Sequence, residues 1–157
     1  MKIKVIFLFL FLCAFTQGGE IDKVVGVHDG DTITLLTSDN QSFKVRLYGI
    51  DSPELKQPGG KKAKQFLSSI CFGKEVRIEK LGIDRYQRVI GWLYTIDGMS
   101  INKMMVDSGW AWDYKQYSKK HPELQIAEDS AKARGKNIWS MKHPIEPWLY
   151  RSSKKKK

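Results

Sequence analysis

The sequence predicts a mainly β member of the α+β class: a small closed barrel of five strands carrying about three helices. Three observations predict it. Short segments that alternate apolar and polar residues recur between turn signals. A helical stripe interrupts them once, between the third and the fourth, instead of following every strand as it would in a parallel sheet. The chain has 157 residues, enough for one domain with a real core and too few for two.

Residues 22–28 read as the first strand and end at the turn signal Asp29-Gly30; residues 32–37 form the second. Residues 42–50 alternate cleanly, with Phe43, Val45 and Leu47 on one face and Lys44, Arg46 and Tyr48 on the other. The meander is therefore apolar on one side, and Arg46 belongs to the wetter face. Loop composition follows from Asp51 to Gly60. Ala63, Phe66, Leu67 and Ile70 then recur at helical spacing, with Gly73 as the stop. Residues 74–79 and 89–94 supply the fourth and fifth strands, joined by the polar run Asp84-Arg-Tyr-Gln-Arg88. Ser100 is an N-cap for a short helix ended by Gly109. A third helix runs from Pro122 to Gly135, with Leu124, Ala127 and Ala131 on its buried face. Trp92, Trp110 and Trp139 are core rings. This strand count and helix placement fit the oligonucleotide/oligosaccharide-binding (OB) fold.

The ends read differently. Lys2 and Lys4, an apolar run from Val5 to Phe15, and a small polar segment before Gly19 have the layout of a secretory signal peptide, read as residues 1–18. The run is too short to span a bilayer as a helix, which takes about 20 residues, so a membrane-anchored form is the lesser reading. A secreted or periplasmic monomer is expected, with its folded domain over residues 19–142. Residues 143–157 read as a basic, solvated tail.

Composition narrows the chemistry. Lys and Arg number 27 against 17 Asp and Glu, a net charge of +10 of which the leader carries two units. Such a surplus draws polyanions. Cys71 is the one cysteine beyond the leader, so no internal disulfide forms, and its place on the helical stripe marks a buried, inert thiol. His28, His121 and His143 are scattered, and no zinc-type spacing exists.

Off the core face and at strand ends lie Asp31, Arg46, Asp51, Glu54 and Arg88. Closing the sheet brings these three carboxylates and two guanidiniums to one end. Phosphodiester hydrolysis uses such a set: oxygen ligands for a hard cation, a carboxylate beside the water, and forked cations on the phosphate. Each piece alone is ordinary. Asp29-Gly-Asp-Thr32 is by itself a tight strand connection, Asp51-Ser-Pro-Glu54 a turn, and Arg88 a partner for Asp84.

In order, however, Asp29-Gly-Asp-Thr32, Val45-Arg-Leu-Tyr-Gly-Ile-Asp-Ser-Pro-Glu54, Asp84-Arg-Tyr-Gln-Arg88 and Asn137-Ile-Trp-Ser140 resemble the motifs of the staphylococcal nuclease family, from about Val24 to Ser140. The resemblance implies a calcium-dependent, sequence-tolerant nuclease acting on DNA and RNA, single-stranded or frayed regions first. It implies Ca2+ held by the carboxylates of Asp31 and Asp51 and the main-chain carbonyl of Ser52, Glu54 activating or orienting water, and Arg46 and Arg88 on the scissile phosphate. Arg85 and Tyr86 match nucleotide contacts of the family. Tyr114 and Tyr117 are candidates for stacking on an unpaired base, with core packing as the plainer role. Three departures stand out. Ser52 replaces a threonine, Gln87 replaces a glycine before the second arginine, and the loop of residues 55–62 is short. The rival reading is a non-catalytic OB-fold module that binds nucleic acid. It leaves the acidic set without a purpose.

Overall fold

A computed structural model describes residues 19–155. The expected leader, residues 1–18, and the last two lysines lie outside the described residues.

Five strands close into a barrel in the order β1 (Glu20–Val27), β2 (Thr32–Leu36), β3 (Ser42–Leu47), β6 (Val89–Thr95) and β5 (Glu75–Ile83), with β5 returning to pair with β1. All pairings are antiparallel except β3 with β6. Helix α1 (Gly60–Cys71) makes that parallel pairing reachable by carrying the chain across between β3 and β5. The alternation read from the sequence is the inside–outside alternation of the wall. Val24, Ile33, Leu35, Val45, Leu47, Ile78 and Leu93 are buried in the core, while Lys44 stays exposed and Arg46 half-buried on the other face.

The helices cover the barrel with the faces that the spacing marked. Ala63, Leu67 and Cys71 of α1 are fully buried. Burial pushes the Cys71 thiol up to about 12, which makes it inert at neutral pH. Helix α2 (Ile101–Asp107) is capped as expected, with Ser100 Oγ accepting from the Lys103 N–H at 3.2 Å. Helix α3 (Pro122–Ala133) starts at its proline and buries Leu124, Ala127 and Ala131. Trp92 and Trp110 are buried, and Trp139 is half-buried against the same core.

Three expectations need correction. The strand expected over residues 42–50 stops at Leu47. Gly49, at φ +73°, turns the chain, and Ile50–Asp51 becomes a separate strand, β4, paired with β7 (Trp112–Asp113). Asp51 is thereby lifted off the barrel wall. The fourth barrel strand runs past residue 79 to Ile83 through an irregularity between Lys80 and Gly82. Finally, the described residues hold four α-helices, with a 3-10 turn at Asn137–Ser140. The extra helix, α4 (Pro147–Lys155), occupies the segment read as a solvated tail. Pro147 is buried and Trp148 packs against the core cluster, so local apolar anchoring overrides the solubility of the lysines that follow.

Candidate active site

A cavity of about 820 Å3 opens at the end of the barrel where β2 begins and β3 and β4 finish, and each sequence-predicted site residue lines it: Asp31, Arg46, Asp51, Ser52, Glu54, Arg85, Tyr86, Arg88, Tyr114 and Tyr117. Register explains the first of these. Thr32 pairs with Arg46 across the β2–β3 ladder, so Asp31 and Arg46 emerge side by side at the same end. Leu47 N–H donates to the Asp31 carbonyl at 2.8 Å and extends that pairing by one step.

The acid cluster is tied together by donors. Asp31 Oδ2 accepts from the Ser52 N–H at 2.8 Å and from the Ser52 hydroxyl at 3.1 Å, and Oδ1 accepts from the Thr32 hydroxyl at 3.1 Å. The Arg46 guanidinium lies between the two acids, 3.2 Å from Asp31 and 2.9 Å from Asp51, and is itself aimed by donation to the Leu47 carbonyl at 2.8 Å. Close approach of the loops depends on Gly30. A Cβ there would stand 2.5 Å from Ser52 Oγ and 2.8 Å from the Ala63 methyl. Gly60, at the start of α1, likewise has its α-carbon against the backbone of Glu54, with no room for a side chain.

Crowding of like charge shows in the proton affinities. Burial, and then the neighbouring Asp31 charge, push the Asp29 carboxyl up to about 7. Burial also raises Asp51, aided by Asp31 and opposed by the hydrogen bond from Arg151 and the charge of Arg46. Carboxylates this crowded call for positive charge, and the oxygen-only donor set suits a hard divalent ion. Among the described residues no group of three or more His, Cys, Asp or Glu side chains is arranged to hold a metal ion by itself. Asp31 and Asp51 would have to be completed by backbone carbonyls, Ser52 included, and by water, a mixture that calcium accepts readily.

The opposite wall is the hairpin between β5 and β6. Asp84 organises it. Its Oδ1 accepts from the backbone N–H groups of Tyr86 and Arg88 at 2.9 and 3.0 Å, and its Oδ2 from Arg88 Nε at 2.8 Å. Arg88 therefore holds the salt bridge with Asp84 that the plainer reading of the sequence offered, and also reaches Thr32 Oγ1 at 3.3 Å. Gln87, standing where glycine was the expectation, takes the left-handed conformation at φ +60°. The turn survives the substitution at the cost of local strain. Arg85 lies 4.9 Å over the Tyr86 ring and donates to its hydroxyl. Tyr114 and Tyr117 form a tilted pair 5.1 Å apart at the cavity edge.

Two residues that line the cavity were not assigned to it from the sequence. Arg151 on α4 grips Asp51 with both nitrogens, at 3.1 and 2.8 Å, and Glu54 at 2.8 Å. Trp148 stacks on Tyr114 with ring centres 5.2 Å apart and planes at 14°. The signal was present: Pro147 is a good first-turn residue, and Trp148, Arg151, Ser152 and Lys155 fall at i, i+3, i+4 and i+7, the stripe that faces the cavity.

Comparison with known proteins agrees with this geometry. The family model described as "Staphylococcal nuclease homologue" matches residues 44–141. An "Uncharacterized endonuclease" of Haemophilus influenzae is 42% identical over 152 residues, covering 97% of this chain and 84% of that protein. A protein of the same description from Escherichia coli is 38% identical over 152 residues, covering 96% and 95%. A "Micrococcal nuclease" of Shigella flexneri is 34% identical over 142 residues, covering 85% and 81%.

Proposed function

The chain belongs to the staphylococcal nuclease family, and from that premise we propose that it is a calcium-dependent, sequence-tolerant nuclease that hydrolyses phosphodiester bonds of DNA and RNA. One observation carries the reading. Two buried carboxylates, Asp31 and Asp51, share one guanidinium at the mouth of a cavity that also holds Glu54 and Arg88. A polyanion would be repelled by the bare acids. With calcium on them, the ion would neutralise phosphate charge and lower the barrier to attack by water.

The chain's own residues supply the rest. Glu54, about 40% exposed and paired with Arg151, lines the cavity, where it would orient a water and accept its proton once that pair opens. Arg46, fixed by Leu47, stands ready to fork onto a phosphate oxygen and to hold the charge that builds in the transition state. Arg88, aimed by Asp84, approaches from the hairpin side. The rings of Tyr86, Tyr114 and Tyr117 offer stacking surfaces without a base code, which fits a sequence-tolerant enzyme that prefers unpaired strands. Export to the periplasm or medium through residues 1–18 completes the proposal.

The test is digestion of single-stranded DNA, duplex DNA and RNA by the purified protein, with calcium and with chelator, beside Glu54→Gln. We expect products with calcium alone, and turnover reduced about 10²–10⁴-fold in the variant with substrate affinity little changed. Cleavage that is indifferent to chelator, or equal in wild type and variant, would refute the mechanism. Binding without any cleavage would leave a nucleic-acid-binding barrel.

A further inference from the structure

Helix α4 puts a cation on the acids and an aromatic ring on the stacking surface at the same time. Arg151 takes both oxygens of Asp51 and an oxygen of Glu54. Its guanidinium is held above its ordinary proton affinity first by the hydrogen bond with Asp51. Trp148 and Arg151 are three residues apart, close to one helical turn, and so share the cavity-facing stripe: Trp148 lies on the ring of Tyr114 while Arg151 reaches Asp51 and Glu54. A nucleic acid with its ion would need the same places: positive charge at Asp51, an unencumbered Glu54, and an open face on Tyr114.

We propose that α4 is a built-in occupant of the groove, a latch that excludes divalent cation through Arg151 and an unpaired base through Trp148. The proposal rests on the nuclease reading for what the groove takes.

The helix is placed to let go. Beyond the cavity-facing stripe its Leu149, Ser153 and Lys154 are exposed, and the Arg151 side chain is about 40% exposed. Apart from the Arg151 contacts, its polar ties to the rest of the fold among the described residues include Tyr150 hydroxyl to the Lys56 carbonyl at 3.3 Å and, just before the helix, Gln57 Nε2 to the Ile145 carbonyl at 2.5 Å. An exposed ion pair contributes little net free energy, because each partner is nearly as well served by water. Asp51 gives the latch its grip, since it is buried. Calcium can contest the same oxygens with twice the charge.

The consequence is a tax on affinity. A ligand that binds only the released state has its apparent affinity reduced by the fraction of molecules released. With about one molecule in ten released, that factor is about tenfold.

The experiment uses the full chain as wild type, Arg151→Ala and Trp148→Ala, with folding checked by circular dichroism. Calcium binding is followed by calorimetry without nucleic acid. Binding of a short oligothymidylate is followed by fluorescence anisotropy in chelator. We expect Arg151→Ala to bind calcium about tenfold more tightly, and Trp148→Ala to bind the oligothymidylate several-fold more tightly. Calcium affinity unchanged or weakened by Arg151→Ala overturns the latch, as does oligothymidylate affinity unchanged or weakened by Trp148→Ala, which would make α4 part of the substrate grip. If calcium binds neither wild type nor Arg151→Ala, the metal requirement of the nuclease reading fails instead, and the latch stands or falls on the oligothymidylate result.

Discussion

The two walls of the cavity hold their arginines in opposite ways. Arg46 comes from the outer face of strand β3: its position is set by strand register with Thr32, its fork by the Leu47 carbonyl, and its partners are the acids just before β2 and on β4. Arg88 comes from a hairpin, and its partner Asp84 is four residues away on the same turn. The carboxyls report the contrast. On the side of Arg46 burial pushes Asp29 and Asp51 up. On the hairpin, a smaller burial effect is outweighed by hydrogen bonds from Arg88 and from the Tyr86 backbone, and Asp84 is held below the usual carboxylate range. One wall stores crowded charge for a cation to relieve, and the other is electrostatically content without one.

The largest effect that follows is on turnover. Arg46→Ala removes the proposed phosphate contact and also the cation shared by Asp31 and Asp51, so we expect a loss of about 10³–10⁵-fold in kcat with saturating calcium. The variant should also be less stable in chelator, since two buried acids lose a partner. Arg88→Ala removes the proposed phosphate contact and a more exposed ion pair with Asp84, so a loss of about 10²–10³-fold in turnover is expected, with a smaller loss of stability in chelator than for Arg46→Ala. Single-turnover cleavage and urea unfolding measure the two quantities. A greater loss of turnover from Arg88→Ala would reverse the ranking of the walls.

The contrast also explains what could be read in advance. The barrel was legible because alternation in β1, β2, β3 and β6 and the stripes of α1 and α3 are local signals of burial. Arg46, Asp51 and Glu54 were legible as a set through their motif. What escaped depended on distant partners. The strand break at Gly49 is fixed by pairing of β4 with β7, some sixty residues on. Arg151 counts as a site residue only because its helix meets Asp51 across 100 positions of chain. Its helical stripe is a local signal, but nothing in that stripe names Asp51 as the partner.

A smaller effect sharpens the contrast through pH. Asp84 has a depressed folded value, so its ionised form contributes stability that is fully present above its ordinary value of 3.8 and is lost as pH falls below it. Asp84→Asn should therefore destabilise the protein by about 1 kcal/mol at neutral pH, and the gap from wild type should close as pH drops through and below 3.8. Urea midpoints at neutral and acid pH measure it. A gap that is constant with pH would mean that Asp84 acts by its backbone geometry and not by its charge.

The smallest effect isolates the hairpin backbone. Gln87 sits at φ +60°, a conformation that disfavours a side chain by about 1 kcal/mol. Glycine removes that penalty but gives the unfolded chain more freedom. The two terms nearly cancel, and Gln87→Gly should raise stability by no more than about 0.5 kcal/mol. Turnover is the more telling readout. Asp84 already binds the N–H groups of Tyr86 and Arg88 and the Arg88 side chain, so the turn is clamped from outside residue 87 and Arg88 should keep its aim in the variant. Equal kcat in wild type and Gln87→Gly would show the clamp to be sufficient. A clear rise in kcat would mean that the left-handed glutamine holds Arg88 away from its best position, and that the hairpin wall is the less well adapted of the two.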